Sequence, residues 1–122
     1  MKFSDIPGKK ELKKHLINSV LNNRISHAQL FLGNPGSAKL ALALAYSQFI
    51  NCTKRVEEDS CGTCSSCIKI SSLTHPDLHL IFPVIKVKSV KNNISDSFLK
   101  EWRDLVLTNP YSSLSRWVEC LD

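Results

Sequence analysis

The chain has 122 residues, enough for about one domain, and a hydrophobic content of 43% can supply its core. Its longest apolar stretch, residues 40–46, is far too short to span a bilayer, and no apolar h-region of a secretory signal follows Met1-Lys2-Phe3-Ser4-Asp5, so the composition is that of a cytoplasmic protein. The net charge of +5 permits contact with nucleic acid, but lysines on solvated faces account for it as well: Lys9, Lys10, Lys13 and Lys14 on a helix, and Lys86, Lys88 and Lys91 in a loop.

In chain order, residues 9–23 place Leu12, Leu16, Ile17, Val20 and Leu21 on one face and predict an amphipathic helix. Residues 24–28 connect it to a short apolar run, Gln29-Leu30-Phe31-Leu32, which reads as a buried parallel strand ending at Gly33. Then comes Gly33-Asn34-Pro35-Gly36-Ser37-Ala38-Lys39-Leu40, a damaged form of the phosphate-binding pattern G-x-x-x-x-G-K-[ST]. In an intact loop the glycines let backbone N–H groups wrap the phosphates, the lysine reaches the β/γ-phosphates, and the Ser/Thr hydroxyl holds Mg²⁺. Gly33, Gly36 and Lys39 remain as a phosphate cradle, but Ala38 replaces the second glycine and Leu40 removes the Mg²⁺ ligand. Residual anion binding at the helix N-terminus stays possible, whereas hydrolysis through metal-bridged phosphates should be badly impaired. An ordinary Gly-Pro turn before a helix is the competing reading.

Residues 39–50 are rich in Ala and Leu and predict a helix. Cys52, Cys61, Cys64 and Cys67 follow with spacing C-x8-C-x2-C-x2-C. Two successive x2 spacings put three sulfurs within reach of one ion, and Cys52 can close a tetrahedral four-cysteine site, with Gly62 at the tight turn. Structural zinc suits this closed ligand set best. An iron–sulfur cluster shares the ligand type, and buried free thiols or disulfides are further readings. Cys120 is distant and reads as a buried or semi-buried thiol.

Residues 65–73 predict a short helix leaving the cluster, and residues 78–82 a second apolar strand stopped by Pro83. Residues 84–93 read as a loop or loose hairpin. A helix over 95–108 carries Phe98, Leu99, Trp102, Leu105 and Val106 on its inner face, and Asn109-Pro110 breaks it. Ser112 or Ser113 then caps a last helix with Leu114, Trp117, Val118 and Leu121 aligned. His27, His75 and His79 read as structural; the last two are metal ligands only if a cysteine is not.

Several of these stretches resemble one family, the delta-prime subunit of the bacterial DNA polymerase III clamp loader and its paralogue gamma/tau. The opening Phe3-Ser4-Asp5-Ile6-Pro7-Gly8 looks like its F-x-D-[IV]-x-G start. Arg24-Ile25-Ser26-His27-Ala28-Gln29-Leu30-Phe31-Leu32-Gly33 resembles its approach to the phosphate loop. The four cysteines match its zinc module, and His75-Pro76-Asp77-Leu78 the segment after it. The likeness covers roughly residues 3–82; Glu101-Trp102-Arg103-Asp104 and Asn109-Pro110-Tyr111 look like the delta-prime branch of Bacteroidetes-type bacteria.

The resemblance implies an α/β fold: the N-terminal part of an AAA+ P-loop domain over residues 1–122, a partial parallel sheet flanked by helices, with a four-cysteine zinc module inserted at about 51–74. It implies a non-hydrolysing stator of the delta-prime kind, because Ala38 and Leu40 depart from the motor's loop. Its partners would be gamma/tau and delta, with the sliding clamp and primed DNA met through the complex, and ATP with Mg²⁺ would bind poorly or not at all. An ATP-hydrolysing gamma/tau-type subunit is the first alternative and a free-standing zinc nucleic-acid module the second. With only two core strands and no apolar run ending in Asp-Glu, the chain reads as a piece of a longer subunit, whose unpaired sheet edge favours self-association or disorder.

Overall fold

The computed structural model describes residues 1–121, and the regular elements among them are all helical. Five helices occur in order: α1 Lys10–Leu21, α2 Lys39–Asn51, α3 Ser65–Ser71, α4 Leu99–Thr108 and α5 Leu114–Leu121. Short 3-10 turns cover Phe3–Asp5 and Ser95–Phe98. None of these helices is long and apolar enough to cross a membrane.

The first core forms where the inner faces of α1 and α2 meet. Leu16, Ile17 and Val20 pack against Ala41, Leu42, Ala45, Tyr46 and Phe49, and Phe3 and Ile6 close one end. Alanines at 41 and 45 let the two helices approach, and both are fully buried. α2 is therefore apolar nearly all round, as a central helix must be. Leu12 and Leu21, expected on the buried face of α1, are 41% and 55% exposed.

A second cluster joins Leu44 of α2 to Leu73 and to Val106 of α4. The third lies at the C-terminal end. There Phe82 stacks on Trp102 with ring centroids 4.4 Å apart, and Trp117 of α5 meets both rings edge-on at 5.1 and 5.0 Å. Ser113 caps α5, its Oγ accepting from the N–H of Arg116. The helix expected over 95–108 is broken at Phe98, where a 3-10 turn gives way to α4.

The two expected strands are not formed, and the described residues contain no sheet. Their only β-type pairing is an isolated antiparallel bridge between Val56 and Asp59. A strand needs a neighbour to exchange hydrogen bonds with, and residues 29–32 and 78–82 do not pair. The second run keeps a strand's alternation: Phe82 is buried, Leu78 and Leu80 are half-buried, and His79 and Ile81 face out. The backbone of Phe82 is satisfied instead by one side chain, with Ser95 Oγ accepting from its N–H at 3.2 Å and donating to its carbonyl at 2.9 Å. In the first run Phe31 packs against Tyr46, while Leu30 and Leu32 are each 82% exposed.

Candidate metal centre and phosphate loop

α2 organises both candidate sites, with the phosphate loop at its N-terminus and Cys52 directly after its last residue. Asn34-Pro35-Gly36-Ser37 forms a turn closed by the Ser37 N–H on the Asn34 carbonyl. Proline second and Gly36 third at φ +79° make it a type II turn. Gly33 matters for a different reason: a Cβ there would lie 2.2 Å from Ser37 Oγ, so any side chain would force that hydroxyl to turn aside. That hydroxyl is buried and makes no hydrogen bond.

Ala38 adopts φ +65°, ψ 13°, the left-handed conformation that an L side chain resists by about 1–2 kcal/mol. Ala38 thus takes a backbone conformation that favours the glycine it replaces in the pattern. Lys39 Nζ reaches back to the Gly33 carbonyl at 2.7 Å and closes the loop into a ring. Beside it lies a cavity of about 550 Å³, bordered by Leu12, Phe31, Gly33, Ser37, Lys39 and Leu42, which is in the range of small-ligand sites. Leu40 offers no oxygen to a cation.

The structure brings all four predicted cysteines together, their Sγ atoms all within 4.8 Å of one another. Cys52–Cys61 and Cys61–Cys67 are 3.6 and 3.9 Å apart. Four thiolates about 2.3 Å from a central ion stand about 3.8 Å from each other in a tetrahedron, so these edges fit one metal. A disulfide needs sulfurs about 2 Å apart, and none is formed. Gly62 turns the chain at φ +76° between Cys61 and Cys64, as its position in the motif predicts. Cys120 forms no part of the group and is exposed, not buried or half-buried as expected. Neither His75 nor His79 joins it.

Backbone N–H groups surround the sulfurs. Cys61 N donates to Cys52 Sγ and Cys64 N to Cys61 Sγ, both at 3.3 Å. The backbone of Thr63, then that of Cys64, holds the Cys61 thiol below its usual range. The backbones of Cys67 and Thr53 draw Cys64 down to about 5. Burial pushes Cys67 up to about 12. A thiolate at that depth needs a countercharge, and a divalent cation among four sulfurs supplies one.

The cluster is tied to α2 by groups that the motif did not reveal. Gln48 is 1% exposed and hydrogen-bonded through both amide atoms: its Nε2 donates to Ser60 Oγ at 2.9 Å, and its Oε1 accepts from Ser71 Oγ and from the Met1 ammonium, each at 2.9 Å. Ser60 precedes Cys61, and Ser71 ends the helix that carries Cys67. Arg55 donates to the Phe49 and Ile50 carbonyls at 2.7 and 2.6 Å, capping the C-terminus of α2. Asp59 accepts from the N–H groups of Phe3, Ser4 and Ser60 at 3.0, 3.0 and 2.8 Å. Burial raises the Asp59 pKa, but the three donors outweigh it and leave the carboxyl below its usual range. Only the isolated polar residues in an apolar helix and the Asp-Ser pair before Cys61 hinted at these roles.

Comparison with known proteins agrees with the motifs. A family model described as DNA polymerase III, delta subunit matches residues 8–118. The chain is 43% identical over 70 residues to DNA polymerase III subunit delta' of Bacillus subtilis, covering 57% of the chain and 21% of that relative. It is 29% identical over 109 residues to subunit tau of the same organism, covering 89% of the chain and 18% of the relative. It is 33% identical over 76 residues to subunit tau/gamma of Haemophilus influenzae, covering 62% of the chain and 11% of the relative. The matched part thus spans about a fifth or less of these relatives, and no solved structure matches. With its phosphate loop, cysteine cluster and matched residues 8–118, the chain belongs to the DNA polymerase III delta-subunit family of clamp-loader proteins.

Proposed function

We propose that this chain is the phosphate-loop and metal-module part of a delta-prime-type clamp-loader subunit, one that does not hydrolyse ATP. Leu40 carries the reading: it stands where an active loop needs the Mg²⁺-binding hydroxyl. Lys39 and the N-terminus of α2 can still receive a phosphate from the adjoining cavity. With no side-chain oxygen to fix Mg²⁺ across the β- and γ-phosphates, a bound nucleotide would persist rather than turn over. Such a subunit serves as a rigid member of a ring whose other members supply the hydrolysis. Its partners on this reading are gamma/tau and delta, and through them the sliding clamp and primed DNA, in the cytoplasm.

Zinc is the metal we assign to Cys52, Cys61, Cys64 and Cys67. The support is the closed set of four sulfur donors at edges near 3.8 Å, with no position left for water. The ion's role is structural: it would fix the return of the chain from the end of α2 into α3. Cys67→Ser should abolish stoichiometric zinc and lower stability, because metal binding and folding of such modules are one event. Metal analysis of purified protein tests this, and an unchanged zinc content in the variant would defeat the assignment.

An ATP-hydrolysing gamma/tau-type role is the second reading, favoured by the match to tau over 89% of the chain. Co-purification from the native cells, with partners identified by mass spectrometry, tests the assembly. Recovery of gamma/tau and delta supports a clamp-loader subunit; their absence opposes it.

A further inference from the structure

The loop between Cys52 and Cys61 has no core of its own. Residues 53–58 are all exposed, Val56 among them at 57%. Inside the loop it is held by the Val56–Asp59 backbone pair, at 3.0 and 2.9 Å, and by the Ser60 N–H on Asp59 Oδ1 at 2.8 Å. Its order comes from its ends: Cys52 and Cys61 in the sulfur cluster, Ser60 on Gln48, and Arg55 on the end of α2.

This same loop grips a distant part of the chain. Asp59 takes the N–H groups of Phe3 and Ser4, 56 and 55 residues away in sequence. Phe3 and Ile6 are buried, Phe3 against Phe49 with centroids 5.7 Å apart, so the segment is anchored by apolar contact as well. Its Phe3 and Ser4 amides, however, have only the Asp59 carboxylate as partner.

We infer that the Cys52–Cys61 loop is a metal-dependent latch for the segment around Phe3–Asp5, with Asp59 as the positioning residue that joins the two. The inference rests on the metal assignment above. Losing the ion removes the bonds that join Cys61 to Cys52 through the metal, leaving the Cys61 N–H on Cys52 Sγ and Ser60 on Gln48, and the loop then holds Asp59 less firmly against the Phe3 and Ser4 amides. Because coupling is reciprocal, releasing the segment must in turn weaken metal binding. The metal thereby sets the order of a surface well outside its own ligand shell. That surface adjoins the lysine face of α1 across a shallow cleft, where Ser4, Lys10 and Lys14 face Glu57 and Glu58.

The test is amide hydrogen exchange, followed by mass spectrometry, on the zinc-loaded chain before and after chelation. Chelation should accelerate exchange at Phe3 and Ser4 while the amides of α4 stay protected. Asp59→Ala, loaded with Zn²⁺, should show the same fast exchange and bind Zn²⁺ about tenfold more weakly, at the lower end of what partners outside a ligand shell contribute. If that variant does not fold, the chelation experiment on the unaltered chain decides alone. Zinc that binds stoichiometrically yet leaves Phe3 and Ser4 equally protected after its removal overturns the latch and leaves the metal assignment standing. Loss of protection throughout, α4 included, also overturns it, because the ion then holds the whole chain rather than this segment. Failure to bind zinc at all removes both.

Discussion

At single positions the phosphate loop separates backbone need from chemical need. Gly36 stands at φ +79° with nothing within 4 Å of where a Cβ would sit, so Gly36→Ala adds left-handed strain without a clash. It should cost about 1 kcal/mol, read as a lower urea midpoint at unchanged slope. Ala38 already bears that strain at φ +65°, and the loss of its glycine was visible in the sequence. What the sequence could not display was that Ala38 would take the left-handed conformation itself. The cysteines were legible because metal geometry dictates their spacing. Gln48, Asp59 and Arg55 were not, because their roles depend on which residues lie opposite them in space.

Among the elements, helix positions followed from pattern and strands did not. The helices expected at 9–23, 39–50 and 65–73 correspond to α1, α2 and α3, and of the face expected for α1 packing buries Leu16, Ile17 and Val20 but not Leu12 or Leu21. The runs at 29–32 and 78–82 have strand composition, yet a helix needs only its own residues for hydrogen bonds and a strand needs a neighbour. α5 depends on one anchor. Trp117 is 1% exposed, donates Nε1 to the Pro83 carbonyl at 2.7 Å, and meets both Phe82 and Trp102 edge-on. Trp117→Ala should cost about 3–5 kcal/mol, combining a large cavity with an orphaned carbonyl. Chemical denaturation followed by circular dichroism measures the loss, and a cost below about 1 kcal/mol would show that α5 is not held by this contact.

For the whole molecule, the sheet expected of this family is the feature missing from the described residues, and its absence has a surface consequence. Leu30, Leu32 and Ile81 lie open at 82%, 82% and 91% exposure, on runs that have no neighbouring strand among the described residues. Apolar strand-like runs of this kind favour pairing between chains. Sedimentation at increasing concentration should therefore show association, and Leu32→Lys should reduce it; a monomer at every concentration would contradict this. The larger claim concerns catalysis: family membership joins this chain to proteins named both delta' and tau, and on the proposed reading Leu40 separates it from an ATPase. The most direct test is ATP turnover by a reconstituted complex in which the phosphate-loop lysines of gamma/tau have been replaced, so that this subunit alone could hydrolyse. A subunit lacking the Mg²⁺-binding hydroxyl should show no turnover above background; Mg²⁺-dependent hydrolysis that disappears with Lys39→Ala would mean that Leu40 does not silence the loop.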